Sequence, residues 1–251
     1  MSDQEIRPSD EVAAADWIVT RLADRTYRVS MLLPPGFAAY ARILHPVVSG
    51  TTSGRRLTRW HEIAARAGLG PLNRRVQFAS LIARGAVQPA GFTSHGELPR
   101  EDLASLLGAL ARHTSTVERC WFCIWDGYGR LNGGVETARA AGPVFTRSPT
   151  PPQRPAVRQP GPAPRPDVRG LLGRSYLLYA GPLAAAPTLD LPLNLWWPDD
   201  RAWCVATDVD LDSTYLGGSA ELVSSLLAHP DLEVLPADLA DRITFDADQD
   251  S

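Results

Sequence analysis

The sequence predicts an α+β domain on a mixed or antiparallel sheet with flanking helices, interrupted by a long disordered loop rich in proline and arginine. Three observations carry this. Short runs such as VERCWFCIW (117–125) combine aromatic and β-branched residues and end at turn signals, which suits buried strands. Leu103, Leu106, Leu107 and Leu110 recur at the spacing of a buried helical face. Nine prolines between Pro143 and Pro166 alternate with Arg147, Arg154, Arg158 and Arg165, with too few apolar residues for a core.

In chain order, Asp10–Asp24 reads as a first helix, with Val12, Ala15, Trp17, Ile18, Val19 and Leu22 broadly on one side. Residues 26–33 and 40–48 read as two strands of a hairpin turned at Pro34-Pro35-Gly36. Helices are predicted over 57–67 and 72–84, stopped by Gly68 and Gly85, and a third follows Pro99. Strands are predicted over 117–125, 176–180 and 202–209, and Ser219 N-caps a helix to about Ala228. The domain organisation is one unit over 10–236 with the insertion at 131–170 inside it. An acidic tail at 237–251 carries Asp238, Asp241, Asp246, Asp248 and Asp250.

Composition excludes several classes of function. The chain has 251 residues, 44% of them apolar, a net charge of -3 and five histidines. It lacks the basic stripe of a nucleic-acid or anionic-membrane partner. All 25 basic residues are Arg, so no Schiff-base lysine, phosphate-loop lysine or Ser-Lys dyad can form. The acidic start is wrong for a signal peptide, and the most apolar stretch, 176–197, is broken by Pro182, Pro187, Asp190 and Pro192. A cytoplasmic protein with reduced thiols is expected, with no membrane partner.

Few arrangements suggest chemistry. Cys120 and Cys123 form a C-x-x-C within a strand, where residues three apart point to opposite faces. His61-Glu62 opens like the zinc-protease H-E-x-x-H, but Ala65 stands where the second histidine is needed. The remaining histidines lack metal-ligand spacing, and no Ser occupies a G-x-S-x-G elbow. Gly217-Gly218-Ser219 offers a weak anion site at a helix start, opposed by nearby carboxylates and read more simply as a turn. Asp208, Asp210 and Asp212 would share one face of a continuing strand and gather a divalent cation. Asp210-Leu211-Asp212-Ser213-Thr214 also resembles the D-x-D-x-T signature of haloacid-dehalogenase-like phosphotransferases. That resemblance implies a nucleophile at Asp210 and an acid/base at Asp212, yet the family's phosphate-steadying Lys is missing.

The densest candidate is Trp196-Trp197-Pro198-Asp199-Asp200-Arg201, joined by Trp125 and Tyr128 if both strand ends fall at the same end of the sheet. Aromatic residues with Arg are enriched at interface hot spots, so these seven positions (Trp196, Trp197, Asp199, Asp200, Arg201, Trp125 and Tyr128) are the predicted binding residues. The competing reading makes the indoles core and Asp199-Asp200 a turn.

The ordered phrases PPGFAAYARILHPV, RWHEIAARAG, ARHTSTVERCWFCIWDGYG, RSYLLYAGPL and NLWWPDDRAWCVATDVDLDSTYLGGS resemble an uncharacterised family of actinobacterial hypothetical proteins. That family brings no activity, ligand or catalytic residue. The reading is therefore a non-enzymatic, regulatory or immunity-like protein that binds another protein, with no cofactor. The alternative is a metal-assisted hydrolase or phosphotransferase centred on Asp208, Asp210 and Asp212. A third is a small-molecule pocket lined by Trp121, Trp203 and Tyr179.

Overall fold

The computed structural model describes residues 5–23, 26–49, 54, 56–86, 92–128, 167–171, 174–245 and 247. The predicted disordered insertion falls outside them except for residues 167–170, as do five residues of the predicted tail.

The fold is α+β, and its described strands pair antiparallel throughout. Twelve described strands form two sheets: β1 (Arg7–Pro8), β2 (Ala39–Leu44), β3 (Val47–Ser49), β4 (Arg56–Thr58), β5 (Phe92–Thr93), β6 (Cys120–Trp125), β7 (Asp167–Leu171), β8 (Arg174–Gly181), β9 (Leu195–Pro198), β10 (Cys204–Ala206), β11 (Ser213–Gly218) and β12 (Val234–Ala237). The large sheet runs β1-β8-β6-β9-β10-β11-β2-β12, with β7 also on β8; the small one runs β4-β3-β5.

Both faces of the large sheet are covered, which explains why its central strands read as continuous apolar runs rather than as alternating ones. In β6, Cys120, Phe122 and Ile124 enter one core while Trp121 and Cys123 enter the other. The first core lies under α4 (Arg100–Ala111), α5 (Ala220–Leu227) and a 3-10 stretch at Leu183–Thr188. On α4, Leu106, Ala109 and Leu110 are buried, while Leu103 and Leu107 pack partly covered. Ser219 caps α5 as predicted, its hydroxyl accepting from the Leu222 amide at 3.1 Å. Gly217 and Gly218, expected in a turn, lie in β11; a Cβ at Gly217 would fall 2.4 Å from the Phe37 ring.

The second core is roofed by the N-terminal segment, where the prediction needs correction. In place of the one helix predicted over 10–24, the described residues form a 3-10 turn at Val12–Ala15 and a short helix, α1 (Asp16–Val19). Residues 26–33 are not a strand. Val29, Leu32 and Leu33 are all buried, a spacing met by the 3-10 turn Val29–Met31, whereas a strand would turn Leu32 and Leu33 to opposite sides. The turn is tied to the end of the chain by bonds from the Val29 amide to the Asp241 carbonyl and the Ser30 amide to the Leu239 carbonyl. Residues 238–245, read as the start of the tail, thus pack on the domain. Asp241 is buried and pairs with Arg74 at 3.0 Å.

A satellite core joins β3 to α2 (Trp60–Arg66) and α3 (Phe78–Ala83) around Leu44, Val47, Trp60, Ile63 and Phe78. Helix α2 starts later than predicted because the Glu233 carboxylate accepts the Trp60 and His61 amides at 2.6 and 2.7 Å, placing a negative charge at its first turn. Helix α3 is shorter because the Asn73 side chain accepts the Arg75 amide at 2.8 Å and holds that stretch in a turn. Arg59 clamps the satellite to α4, both of its terminal nitrogens donating to Asp102 at 2.6 and 2.8 Å. No described helix is long and apolar enough to cross a membrane.

Candidate functional site

The three indoles of the segment at 196–203 are core, while Asp199, Asp200 and Arg201 are exposed. Trp196 and Trp197 are 2% and 1% exposed, because neighbouring strand residues alternate and each face of the sheet has its own cover. Trp196 packs on Phe122 and Trp203, and Trp197 on Trp17. Asp199 accepts from the Trp121 indole at 3.0 Å and faces Arg119 at 3.6 Å. Asp200 accepts from the Ser115 amide and hydroxyl and from the Thr114 hydroxyl, all within 2.8 Å. Burial pushes that carboxyl up, but these bonds outweigh it and leave its pKa lowered. Arg201 occupies left-handed backbone at φ 56° and lays its guanidinium over the Trp17 ring. The segment builds a corner.

Trp125 and Tyr128 lie at the other end of the sheet. Antiparallel register pairs Cys120 with Pro198 and Cys123 with Leu195, which puts Asp199–Arg201 beside the start of β6 and Trp125 beside Asn194. Trp125 packs edge-on against Tyr128 and under Arg174.

The three aspartates do not converge. Residues 207–212 form a turn between β10 and β11 rather than a continuing strand, because the Asp208 carboxylate accepts the Asp210 amide at 3.0 Å and its carbonyl accepts the Leu211 amide. Asp208 and Asp210 both face Arg174, at 3.6 and 2.6 Å, whereas Asp212 faces Arg42 at 3.7 Å. Burial raises the pKa of Asp208, partly opposed by the Asp210 amide and by Arg174. No group of three His, Cys, Asp or Glu among the described residues has metal-binding geometry. The cysteines are free and buried, and burial pushes Cys120 up to about 12 and the other two thiols upward as well.

What the structure brings together is a row of polar side chains on one face of the sheet, at the end where β2, β9, β10 and β11 meet their loops. Asn194, Thr207, Thr214 and His45 are each at most 3% exposed. His45 Nδ1 lies 2.5 Å from the Ser94 carbonyl, and His45 Nε2 lies 2.9 Å from the Thr214 hydroxyl. That hydroxyl lies 2.7 Å from the Thr207 hydroxyl. Burial, aided by Arg42 and His95 and opposed by the Ser94 carbonyl, lowers the pKa of His45 to about 4. The imidazole is therefore neutral near pH 7. Asn194 donates to the Tyr128 hydroxyl and the Thr207 carbonyl, both at 3.1 Å, and accepts the Trp125 amide at 2.8 Å. Burial raises Tyr128 to about 12, so its hydroxyl stays protonated.

Thr207, Thr214 and Trp196 line a small pocket that is partly open to solvent. Its walls come from Leu98 just before α4, from Leu103 in its first turn, and from residues between 186 and 193. Glu97, Arg100 and Asp190 supply its charged groups, with Arg100 and Asp190 3.3 Å apart. The loop carrying Ser94, Glu97 and Leu98 is seated by Gly96, whose amide donates to the Leu211 carbonyl at 2.8 Å. At φ 71°, and with Val209 backbone 2.7 Å from where a Cβ would sit, this position requires glycine.

Thr207, Thr214 and Glu97 had no sequence signal. The two threonines are seven residues apart across a hairpin, and His45, just after β2, is distant in sequence. No protein family, curated protein or solved structure matches the chain.

Proposed function

We propose that this chain is a non-enzymatic binding protein whose ligand is a small organic molecule seated in the pocket between the sheet and the start of α4. The observation that carries the reading is a pocket of mixed polar and apolar lining to which two threonines tied to a buried, neutral histidine contribute. Apolar walls with a few fixed polar groups are the usual composition of ligand sites. The same geometry disfavours catalysis by His45, since a general base works best with a pKa near the working pH, and this one lies well below it. The protein-binding surface read from the sequence has lost its anchors, because Trp196 and Trp197 are core.

The test is a thermal-shift screen of a metabolite library on the wild-type chain and on Leu189→Trp, which fills the pocket with an indole. A ligand at about a hundred times its Kd stabilises the fold by roughly 2.7 kcal/mol. The expected result is a hit whose shift disappears in Leu189→Trp while circular dichroism stays unchanged. A shift of equal size in both proteins would place binding elsewhere and defeat the reading.

A further inference from the structure

We infer that the threonine pair in the pocket lining is a one-way hydrogen-bond acceptor, and that the ligand seats against it an amine-type donor group rather than a carbonyl or carboxylate. The inference rests on the ligand-pocket reading and specifies its chemistry.

The contacts fix where the protons sit along Ser94, His45, Thr214 and Thr207. A backbone carbonyl can only accept, so the short contact at the Ser94 oxygen puts a proton on His45 Nδ1. A neutral imidazole carries one ring proton, which leaves Nε2 as an acceptor. Thr214 must then donate its hydroxyl proton to Nε2. With that proton committed, the 2.7 Å contact between the two threonines exists only if Thr207 donates to Thr214. Both hydroxyl protons are thereby committed within the protein, and what the two oxygens have left is lone pairs.

A carbonyl or carboxylate placed against these oxygens would meet lone pairs with no proton between, and so would lose its hydration without compensation. An ammonium has three donors and no acceptor, the complementary inventory. The neighbouring Asn194 cannot reverse the polarity, because both of its ends are engaged within the protein.

Three probes sharing a phenyl body separate the outcomes: phenethylamine as donor, benzylacetone as neutral acceptor and hydrocinnamate as anionic acceptor. Each is titrated into the full chain with the Trp196 indole resonance as readout. Phenethylamine is expected to bind about tenfold or more tightly than either acceptor probe, and Thr207→Val is expected to erase that preference. Equal or tighter binding of the acceptor probes would overturn the donor inference while leaving the pocket reading intact. If no probe moves Trp196 and the metabolite library also yields no hit, the pocket reading itself falls. A second measurement needs no variant: the long-range nitrogen-proton spectrum of His45 should show a protonated Nδ1 and a bare Nε2. The opposite tautomer would overturn the inference.

Discussion

The burial of neutral His45 sets a pH dependence that can be worked out in advance. Its pKa is about 4 in the folded protein against 6.5 for an unperturbed imidazole. Between these values the unfolded chain binds the proton that the folded chain refuses, so stability rises with pH there and is lost as pH falls through the unfolded value. At about pH 5 the unfolded side chain is almost fully protonated and the folded one hardly at all, which corresponds to a loss of about 2 kcal/mol. Below the folded pKa the loss levels off at about 3 kcal/mol. Other groups also titrate in this window, so the quantity to measure is a difference. Urea unfolding of the wild type and of His45→Gln, each at about pH 7.5 and about pH 5, isolates the histidine because Gln has no proton to exchange. The wild type is expected to lose about 2 kcal/mol more than the variant between those pH values. Parallel losses in the two proteins would mean that His45 is neither buried nor neutral, and the proton ordering along the threonines would lose its basis.

Three further outcomes are expected. Asp102→Ala removes the bidentate partner of the Arg59 guanidinium, leaving its bond to the Asp231 carbonyl, and should cost about 1.5–3 kcal/mol in urea unfolding; a loss under about 1 kcal/mol would make the clamp a surface pair. Gly96→Ala must strain a left-handed backbone and push against the Val209 main chain, so thermal unfolding should show a loss of about 2 kcal/mol or more. An unchanged melting temperature would show that the 94–98 loop is not seated as described. Cys120, Cys123 and Cys204, all buried with raised pKa values, should resist a disulfide reagent in the native protein and react on unfolding; rapid native reaction would contradict their burial.

Elements whose packing is set locally were legible in the sequence. The run at 117–125, the leucine spacing after Pro99 and the Ser219 cap each carry their own periodicity or terminal chemistry, and each became the expected type of element. The segment at 26–33 was not legible, since β-propensity describes a half-buried pleated surface and here the chain lies across a sheet made by other strands. The aromatic cluster misled for a related reason. Composition cannot tell a sheet covered on one face from one covered on both, and only the second buries Trp196 and Trp197 together. The aspartates at 208, 210 and 212 alternate as strand residues should, but an Asp side chain that bonds its own backbone two residues on makes a turn instead. The pocket was illegible in a stricter sense. Threonine and leucine are ordinary residues, and what distinguishes Thr207 and Thr214 is their position opposite His45, which depends on the register of β2 against β11.

That register also ties the candidate site to the satellite core. His45 directly follows β2, and the Trp60 indole donates to its carbonyl at 2.7 Å from the first turn of α2. Arg42, three residues earlier, projects from the opposite face of β2, where it donates to the Ser213 hydroxyl at 2.9 Å and to the Val76 carbonyl at 2.6 Å. The Trp60 and Tyr215 rings flank its guanidinium at 5.7 and 5.9 Å. A buried arginine bonded to two separate elements fixes the spacing between them, because breaking either bond leaves a desolvated donor behind. The satellite's packing thus supports the floor of the pocket from below: it holds the backbone carrying His45 while the Gly96 loop positions Ser94. The proton ordering that gives the floor its polarity is a property of the whole β2–β11 junction, and Thr207 and Thr214 are where it opens onto the pocket.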